Sequence, residues 1–274
     1  MSAPRLVFDG VGHSYQDRDR TIEVLRDFSL GVAEGEFVSI VGPSGCGKTT
    51  LLNIVAGFVI PRSGNVLLDG RPIGGPGSDR GMVFQEYGVF PWLSVRENIA
   101  FGLRLRANRR SRAEIAAACD HYLDVMRLRE FADVYPRSLS GGMRQRLALA
   151  RAYAVHPRFL LMDEPFGALD AQTRSSMQNA LLGLQAEDAK TVLFVTHSVE
   201  EALFLSTRVV AVSARPSRIR RVIDVPFPYP RTDALRRAPE FQQLVADLSE
   251  IVMREYEAQQ SQLNPNYQLV NEGT

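Results

Sequence analysis

Apolar residues recur along the chain in two patterns. Short apolar runs rich in β-branched residues, bounded by Gly, Pro or charged turns, predict strands. These runs lie at 5–8, 24–30, 36–41, 65–68, 81–84, 159–162, 191–195, 208–213 and 219–224. Helical spacing predicts helices from about 48, over 171–187 and over 198–205. Strands that alternate with helices favour a parallel sheet covered on both faces.

The stretch from 94 to 151 has a different character, because it is helical, rich in Arg and poor in β-branched residues. Ser94 with Glu97 predicts a capping box. One helical face then carries Ile115, Cys119, Tyr122, Leu123 and Met126. We interpret this region as an inserted helical subdomain. Its basic run from 104 to 112 is either a nucleic-acid patch or a solvated turn, and the absence of interleaved aromatic residues favours the turn.

A Pro-rich stretch at 226–230 separates the remainder of the chain. A terminal helix follows, with apolar residues at a spacing of three or four: Phe241, Leu244, Val245, Leu248, Ile251 and Val252. From about 264 the sequence is a polar tail. We therefore expect one domain at 5–230, with its helical subdomain at about 94–151, and a C-terminal helix and tail at 231–274.

Composition narrows the class of protein. The 274 residues are 45% hydrophobic, which supports a packed core, and the net charge of +1 gives no bulk attraction to nucleic acid. Two cysteines do not form a disulfide framework and fit a reducing compartment. The first residues lack the apolar core of a signal peptide, and no apolar run approaches the roughly 18 residues of a membrane span. Membrane association through a partner remains open.

A glycine-rich turn joins the strand at 36–41 to a helix. Its pattern G-x-x-x-x-G-K-T, in the order strand, turn, helix, predicts a P-loop. Glycines let backbone N–H groups turn toward phosphate oxygens, and the helix dipole favours the same anion. The alternative is a tight turn without a ligand. The predicted nucleotide-binding residues are Gly42, Pro43, Ser44, Gly45, Cys46, Gly47, Lys48, Thr49 and Thr50.

Two side chains of this turn carry specific roles. Lys48 reaches the β- and γ-phosphates, and the Thr49 hydroxyl ligates Mg²⁺. Only two of the 32 basic residues are lysines, at 48 and 190, so the chain otherwise uses Arg. A compact ammonium fits a narrow phosphate cradle that a planar guanidinium overfills.

A second acidic element follows the apolar strand at 159–162. Asp163 and Glu164 are adjacent, which is typical of a Walker B motif. Asp163 is expected to hold Mg²⁺. Glu164, expected to point the other way along the strand, faces the attacking water as general base.

The most specific motif is Leu139-Ser140-Gly141-Gly142 before a helical run. With the P-loop and Walker B motifs it makes the chain resemble the ATP-binding subunits of ABC transporters. The resemblance covers about residues 5 to 225. It implies a P-loop NTPase (RecA-like) α/β core with an antiparallel β subdomain and an inserted α-helical subdomain. On the residues alone, the alternative is a capped helix start with Ser140 as its N-cap.

The resemblance also implies roles for single residues. Ser140, Gly141 and Gly142 bind the γ-phosphate held by the opposite subunit of a dimer. Tyr15 stacks on adenine, Gln85 senses Mg²⁺ and water, Asp170 crosses the dimer, and His197 contacts the γ-phosphate. Lys48, Gln85, Glu164 and His197 are the expected catalytic residues, and Thr49, Gln85 and Asp163 the expected metal ligands. ATP and Mg²⁺ are the expected cofactors.

One position departs from the family pattern, because Met143 stands where the broad family has Gln. A thioether does not replace the hydrogen bonds of an amide. Met143 and the segments 84–93 and 215–219 resemble the nitrate, sulfonate and taurine importer group. The segment 86–92 has three aromatic residues and is either a hydrophobic staple or a docking site for a permease helix.

The resemblance implies an ATP-hydrolysing subunit that powers import of a small anion such as nitrate, a sulfonate or taurine. Its partners are a second copy, two integral-membrane permease subunits and an extracytoplasmic solute-binding protein, without nucleic acid. Its location is then the cytoplasmic face of the cell membrane. The alternatives are a soluble ABC ATPase that acts on ribosomes or DNA, an importer subunit for another small solute, and a small-molecule P-loop kinase.

Overall fold

A computed structural model describes residues 5–18, 20–105 and 110–263. Its strands are β1 (Leu6–Asp17), β2 (Arg20–Val32), β3 (Phe37–Val41), β4 (Ser63–Leu68), β5 (Arg71–Pro72), β6 (Arg80–Val83), β7 (Phe159–Asp163), β8 (Thr191–Thr196), β9 (Arg208–Val212) and β10 (Ile219–Asp224). Its α-helices are α1 (Lys48–Ala56), α2 (Val95–Leu103), α3 (Arg112–Val125), α4 (Gly141–Ala154), α5 (Ala171–Glu187), α6 (Val199–Leu205) and α7 (Pro239–Leu263). The chain divides into two compact units. The first unit comprises the described residues up to 76 and from 191 onward, and the second unit comprises those from 77 to 190.

The first unit contains an antiparallel sheet in the order β2-β1-β4-β5. Phe8 and Phe28 meet edge to face in its core, with ring centroids 5.3 Å apart. The strand predicted at 5–8 is only the first part of β1. The register of β1 shifts between Phe8 and Ser14, so the apolar alternation that reveals a strand is interrupted there.

A second sheet of the same unit has the order β10-β9-β3-β8. Strand β3 runs parallel to β8 and β9, and every residue of β3 and β8 is buried. Strand β10 is antiparallel to β9, which differs from an all-parallel sheet. Burial on both faces explains the uninterrupted apolar runs of β3 and β8.

The second unit contains α2 to α5 and the parallel pair β6 and β7. The predicted capping box is present, since the Ser94 hydroxyl accepts from Glu97 N and the Glu97 carboxylate accepts from Ser94 N. A second box at Ser111 and Glu114 begins α3. The predicted α/β class and helical character of 94–151 are confirmed. Residues 106–109 of the basic run lie outside the described residues.

Helix α7 confirms the predicted terminal helix and extends to Leu263. Phe241 and Leu248 are fully buried and fix its core-facing side. The tail predicted from 264 lies outside the described residues. Among the helices that the structure describes, none combines the length and hydropathy needed to cross a bilayer.

Candidate functional site

The P-loop follows β3 directly and ends where α1 begins at Lys48. Gly47 has φ 119° and caps α1 without any side-chain hydrogen bond, so no side chain blocks the helix start. A Cβ on Gly42 would lie 2.6 Å from Val212 Cγ2, and one on Gly47 2.7 Å from Val24 Cγ1. Both positions therefore require glycine, because a larger residue would push the loop out of shape.

Lys48 is 4% exposed, and its ammonium donates to Gly42 O at 2.9 Å and Pro43 O at 2.8 Å. The cation is thus already inside the loop. Cys46 is fully buried beside it, and burial raises the pKa of its thiol. The thiol is therefore a neutral part of the loop.

Tyr15 lies near the same helix. Its hydroxyl is 3.4 Å from Thr50 Oγ1, and its ring is 41% exposed. His13 packs edge-on against this ring at 4.7 Å between centroids. Burial, then the charge of Arg62, lower the pKa of His13, so the imidazole is neutral at physiological pH. The sequence indicated no role for His13, although Tyr15 lies only two residues further along the same strand.

His197 follows β8 and lies at a cavity of about 730 Å³ inside the first unit. The cavity has the P-loop residues 42–44 on one side and α7 on the other. Its α7 residues are Val245, Ala246, Ser249, Glu250, Val252, Met253 and Tyr256. The P-loop, Tyr15 and His197 thus belong to one unit, as does α7, whose position beside the P-loop the sequence did not predict.

The acidic pair belongs to the second unit. All of β7 is buried, and Asp163 at its end is 6% exposed. Glu164 is not part of the strand: its φ is 42°, and its carbonyl accepts from Gly167 N at 3.1 Å. The expectation that Glu164 follows the alternation of the strand is wrong, because the chain turns at this residue.

The signature segment of the second unit begins α4. The Ser140 hydroxyl accepts from Met143 N at 3.3 Å, which confirms its N-cap geometry. A Cβ on Gly142 would lie 2.5 Å from Thr173 Cγ2 in the first turn of α5. Asp170 caps α5 by accepting from Thr173 N at 3.0 Å, and this bond lowers the pKa of its carboxyl.

Gln85 lies two residues beyond β6 and is exposed. The segment after it is held by buried Asn98, which accepts from Phe90 N at 2.8 Å and donates to the carbonyls of Phe90 and Leu93. Phe90 packs on Phe101 at 4.5 Å. This contact packs the segment against α2.

The residues present suit a nucleotide with its metal. The glycine-lined loop, the open helix start and the Lys48 ammonium are donors for phosphate oxygens. The Thr49 hydroxyl and the Asp163 carboxylate are oxygen ligands of the kind that Mg²⁺ prefers. Among the described residues, no group of three or more His, Cys, Asp or Glu side chains forms a protein-only metal site.

Comparison with known proteins gives a consistent result. The family model for ABC transporters matches residues 25–167. The taurine import ATP-binding protein TauB of Pseudomonas aeruginosa (strain UCBPP-PA14) is 49% identical over 223 residues, 81% of this chain and 84% of that protein. TauB of Jannaschia sp. (strain CCS1) is 45% identical over 249 residues, 87% and 92% of the two chains.

Solved structures agree. The dimeric ATP-binding cassette MJ0796 bound to ADP and Pi superposes with a TM-score of 0.71 at 32% identity, covering 81% of this chain and all of that one. The family model matches the chain through the region that contains the P-loop and the signature segment. The chain therefore belongs to the ABC transporter family, as an ATP-binding subunit whose ATPase activity is coupled to transport.

Proposed function

We propose that the chain hydrolyses ATP with Mg²⁺ to power import of a small anionic solute, such as taurine, another sulfonate or nitrate, through a membrane permease. The observation that carries this proposal is the P-loop. Its buried ammonium, its two sterically required glycines and its uncapped helix start form a phosphate cradle. The names of the TauB relatives support the importer and its class of cargo.

In this proposal Lys48 and the backbone of 42–50 bind the phosphates, and Tyr15 stacks on the adenine. Thr49, Asp163 and Gln85 hold the Mg²⁺, which neutralises charge on the phosphates. Glu164 takes the proton of the attacking water, and His197 contacts the γ-phosphate.

A second copy completes each site by offering Ser140, Gly141 and Gly142, with Asp170 crossing between the copies. The dimeric state of the cassette MJ0796 supports this assembly. The exposed start of α4 supports it as well, because Ser140 is exposed and Gly141 and Gly142 are half-exposed.

The proposed permease contact is an aromatic patch of the second unit, defined by Phe84, Phe90, Trp92 and Phe101. Trp92 is 69% exposed, and Phe84 and Phe101 are each 41% exposed. Large aromatic surface on a loop held by Asn98 suits a stiff docking site for a short helix. The subunit then works at the cytoplasmic face of the membrane, with a solute-binding protein outside.

The test of hydrolysis is Glu164→Gln. The amide keeps the shape but removes the base, so turnover should fall by roughly two to four orders of magnitude while ATP still binds. Equilibrium binding of a fluorescent ATP analogue and phosphate release in metal-controlled buffer measure the two effects. Near-normal turnover would contradict the role of Glu164.

The test of transport needs the complete assembly with its permease and solute-binding protein. Reconstituted complex should hydrolyse ATP faster when taurine, another sulfonate or nitrate is supplied with the binding protein. If only an unrelated solute stimulated hydrolysis, the proposed class of cargo would be wrong, while the proposed ATPase activity would stand. ATPase activity that responds to RNA or DNA instead would favour a soluble ABC ATPase.

A further inference from the structure

Helix α7 is attached to the rim of the P-loop. Gln259 Nε2 donates to Ser44 O at 2.9 Å, across 215 positions of the sequence. One turn earlier, Glu255 accepts from Ala214 N at 3.0 Å and pairs with Arg220 at 2.6 Å. These contacts, with the buried Phe241 and Leu248, fix the helix along its length.

The middle of α7 does not cover the P-loop. It leaves the cavity of about 730 Å³ described above, which we call the α7 cavity. The P-loop residues 42–44, His197 and the α6 residues Val199 and Glu200 line it together with α7. A segment that enters the α7 cavity would therefore contact both the nucleotide-binding loop and the helix.

The α7 wall is apolar where it is exposed. Met253 is 58% exposed and Tyr256 is 42% exposed. Other exposed positions of the helix, away from the cavity, carry small or polar side chains instead, for example Asp247, Arg254 and Ala258. Exposed large apolar side chains that gather at one cavity are typical of a protein contact surface.

The α7 side of the cavity offers no cation to a small anion. Among the described residues that line the cavity there is no Lys or Arg, and the Glu250 carboxylate of α7 pairs with Arg254 outside it. An exposed apolar wall of this kind suits a polypeptide that supplies apolar side chains.

We infer that the α7 cavity receives a second copy of this chain, so that α7 is part of the dimer interface. This rests on the proposed function, in which ATP brings a second copy to the P-loop and His197. Since those residues form the opposite wall, the second copy meets Met253 and Tyr256 as it approaches. The terminal helix thereby adds contact area that the P-loop alone does not provide.

The experiment uses the full chain carrying Glu164→Gln, so that bound ATP is retained. Light scattering over a concentration series with ATP and Mg²⁺ measures the dissociation constant of the dimer. Adding Met253→Asp should raise that constant by at least about tenfold, because a carboxylate then enters an apolar contact. Binding of a fluorescent ATP analogue to the monomer should stay within about twofold.

Three further variants separate a loss of the apolar contact from a general effect of added charge or of lost stability. Met253→Leu keeps an apolar side chain and should dimerise like the Glu164→Gln parent. Ala258→Asp adds the same charge to an exposed position of α7 outside the α7 cavity and should also match the parent. Tyr256→Gln repeats the test at the second position if Met253→Asp lowers the melting temperature.

If Met253→Asp and the parent had equal dissociation constants, the inference would be overturned. A lower dissociation constant for Met253→Asp would overturn it as well, because Met253 would then hinder dimerisation. A parent that stays monomeric with ATP would also overturn it, since no second copy would then enter. A failure of the proposed function would be seen in a different measurement, because the unmodified chain would then not hydrolyse ATP.

Discussion

The glycine-rich N-termini of α1 and α4 differ in how they are capped. At the P-loop no side chain caps α1, and the loop encloses its own cation, Lys48. At the signature segment the Ser140 hydroxyl caps α4, and no basic residue occupies the first turn before Arg144. The first start keeps its backbone N–H groups free of a side-chain cap beside a cation of the same chain, whereas a hydroxyl of the chain itself caps the second.

We expect the largest effect on turnover from removing the Lys48 ammonium from the P-loop. Lys48→Ala should abolish measurable turnover and weaken binding of a fluorescent ATP analogue. It also leaves the carbonyls of Gly42 and Pro43 without their donor, at about 1–3 kcal/mol. Lys48→Arg should fail too, because a guanidinium overfills the buried space, and wild-type turnover in this variant would refute the narrow cradle.

Lys190→Ala is the matched control for that prediction. Lys190 is the other lysine of the chain, and it pairs with the half-exposed Asp188 at 2.6 Å. Turnover should be unchanged, and chemical denaturation should show a loss of no more than about 1 kcal/mol.

The signature segment is tested by Gly142→Ala. The added Cβ would lie 2.5 Å from Thr173 Cγ2, so the start of α4 must shift. We expect turnover to fall about 10- to 100-fold while binding of ATP to the monomer is retained. Gly183→Ala in α5 meets no atom within 4 Å and should leave turnover unchanged. Loss of monomer binding in Gly142→Ala would contradict the contrast between the two helix starts.

Met143 tests whether the capped start of α4 depends on the side chain at this position. Its backbone N–H already bonds to the Ser140 hydroxyl, so its side chain is not needed for the cap. Met143→Gln should therefore change the ATPase rate by less than about tenfold. A larger loss, measured with protein of unchanged melting temperature, would assign the thioether a packing role of its own.

The smallest expected effect concerns pH and His13 beside Tyr15. The pKa of His13 is lowered in the folded protein, so the unfolded chain binds more protons as pH falls below about 6.5. Its contribution to stability is present above that pH and decreases toward acid. His13→Phe should flatten the change in unfolding free energy between about pH 7 and pH 5. An unchanged slope would show that other groups control it.

Local sequence was enough for the parts of the fold that depend on local chemistry. The P-loop, the capping box at Ser94 and the buried strands β3 and β8 follow from residue spacing alone. The extent of β1 was missed, because its register shifts interrupt the alternation. The backbone turn at Glu164 was missed too, because the alternation of the strand was carried past its predicted end at 162, although Pro165 follows directly.

The position of α7 was beyond sequence reasoning for a different reason. Its amphipathic spacing predicts that one face is buried, but not which surface covers it. The contact of Gln259 with Ser44 joins positions at opposite ends of the chain. A single sequence carries no periodic signal for such a contact.

The aromatic patch also contains the only tryptophan of the chain, Trp92. Its indole is 69% exposed and lies 5.4 Å from the Phe90 ring, between centroids. Selectively excited emission therefore reports on this one surface and on no other part of the subunit. Docking of a permease helix should transfer the indole from water to an apolar contact and shift its emission to shorter wavelength. The subunit thus contains its own optical probe of coupling, which reads out docking without any added label.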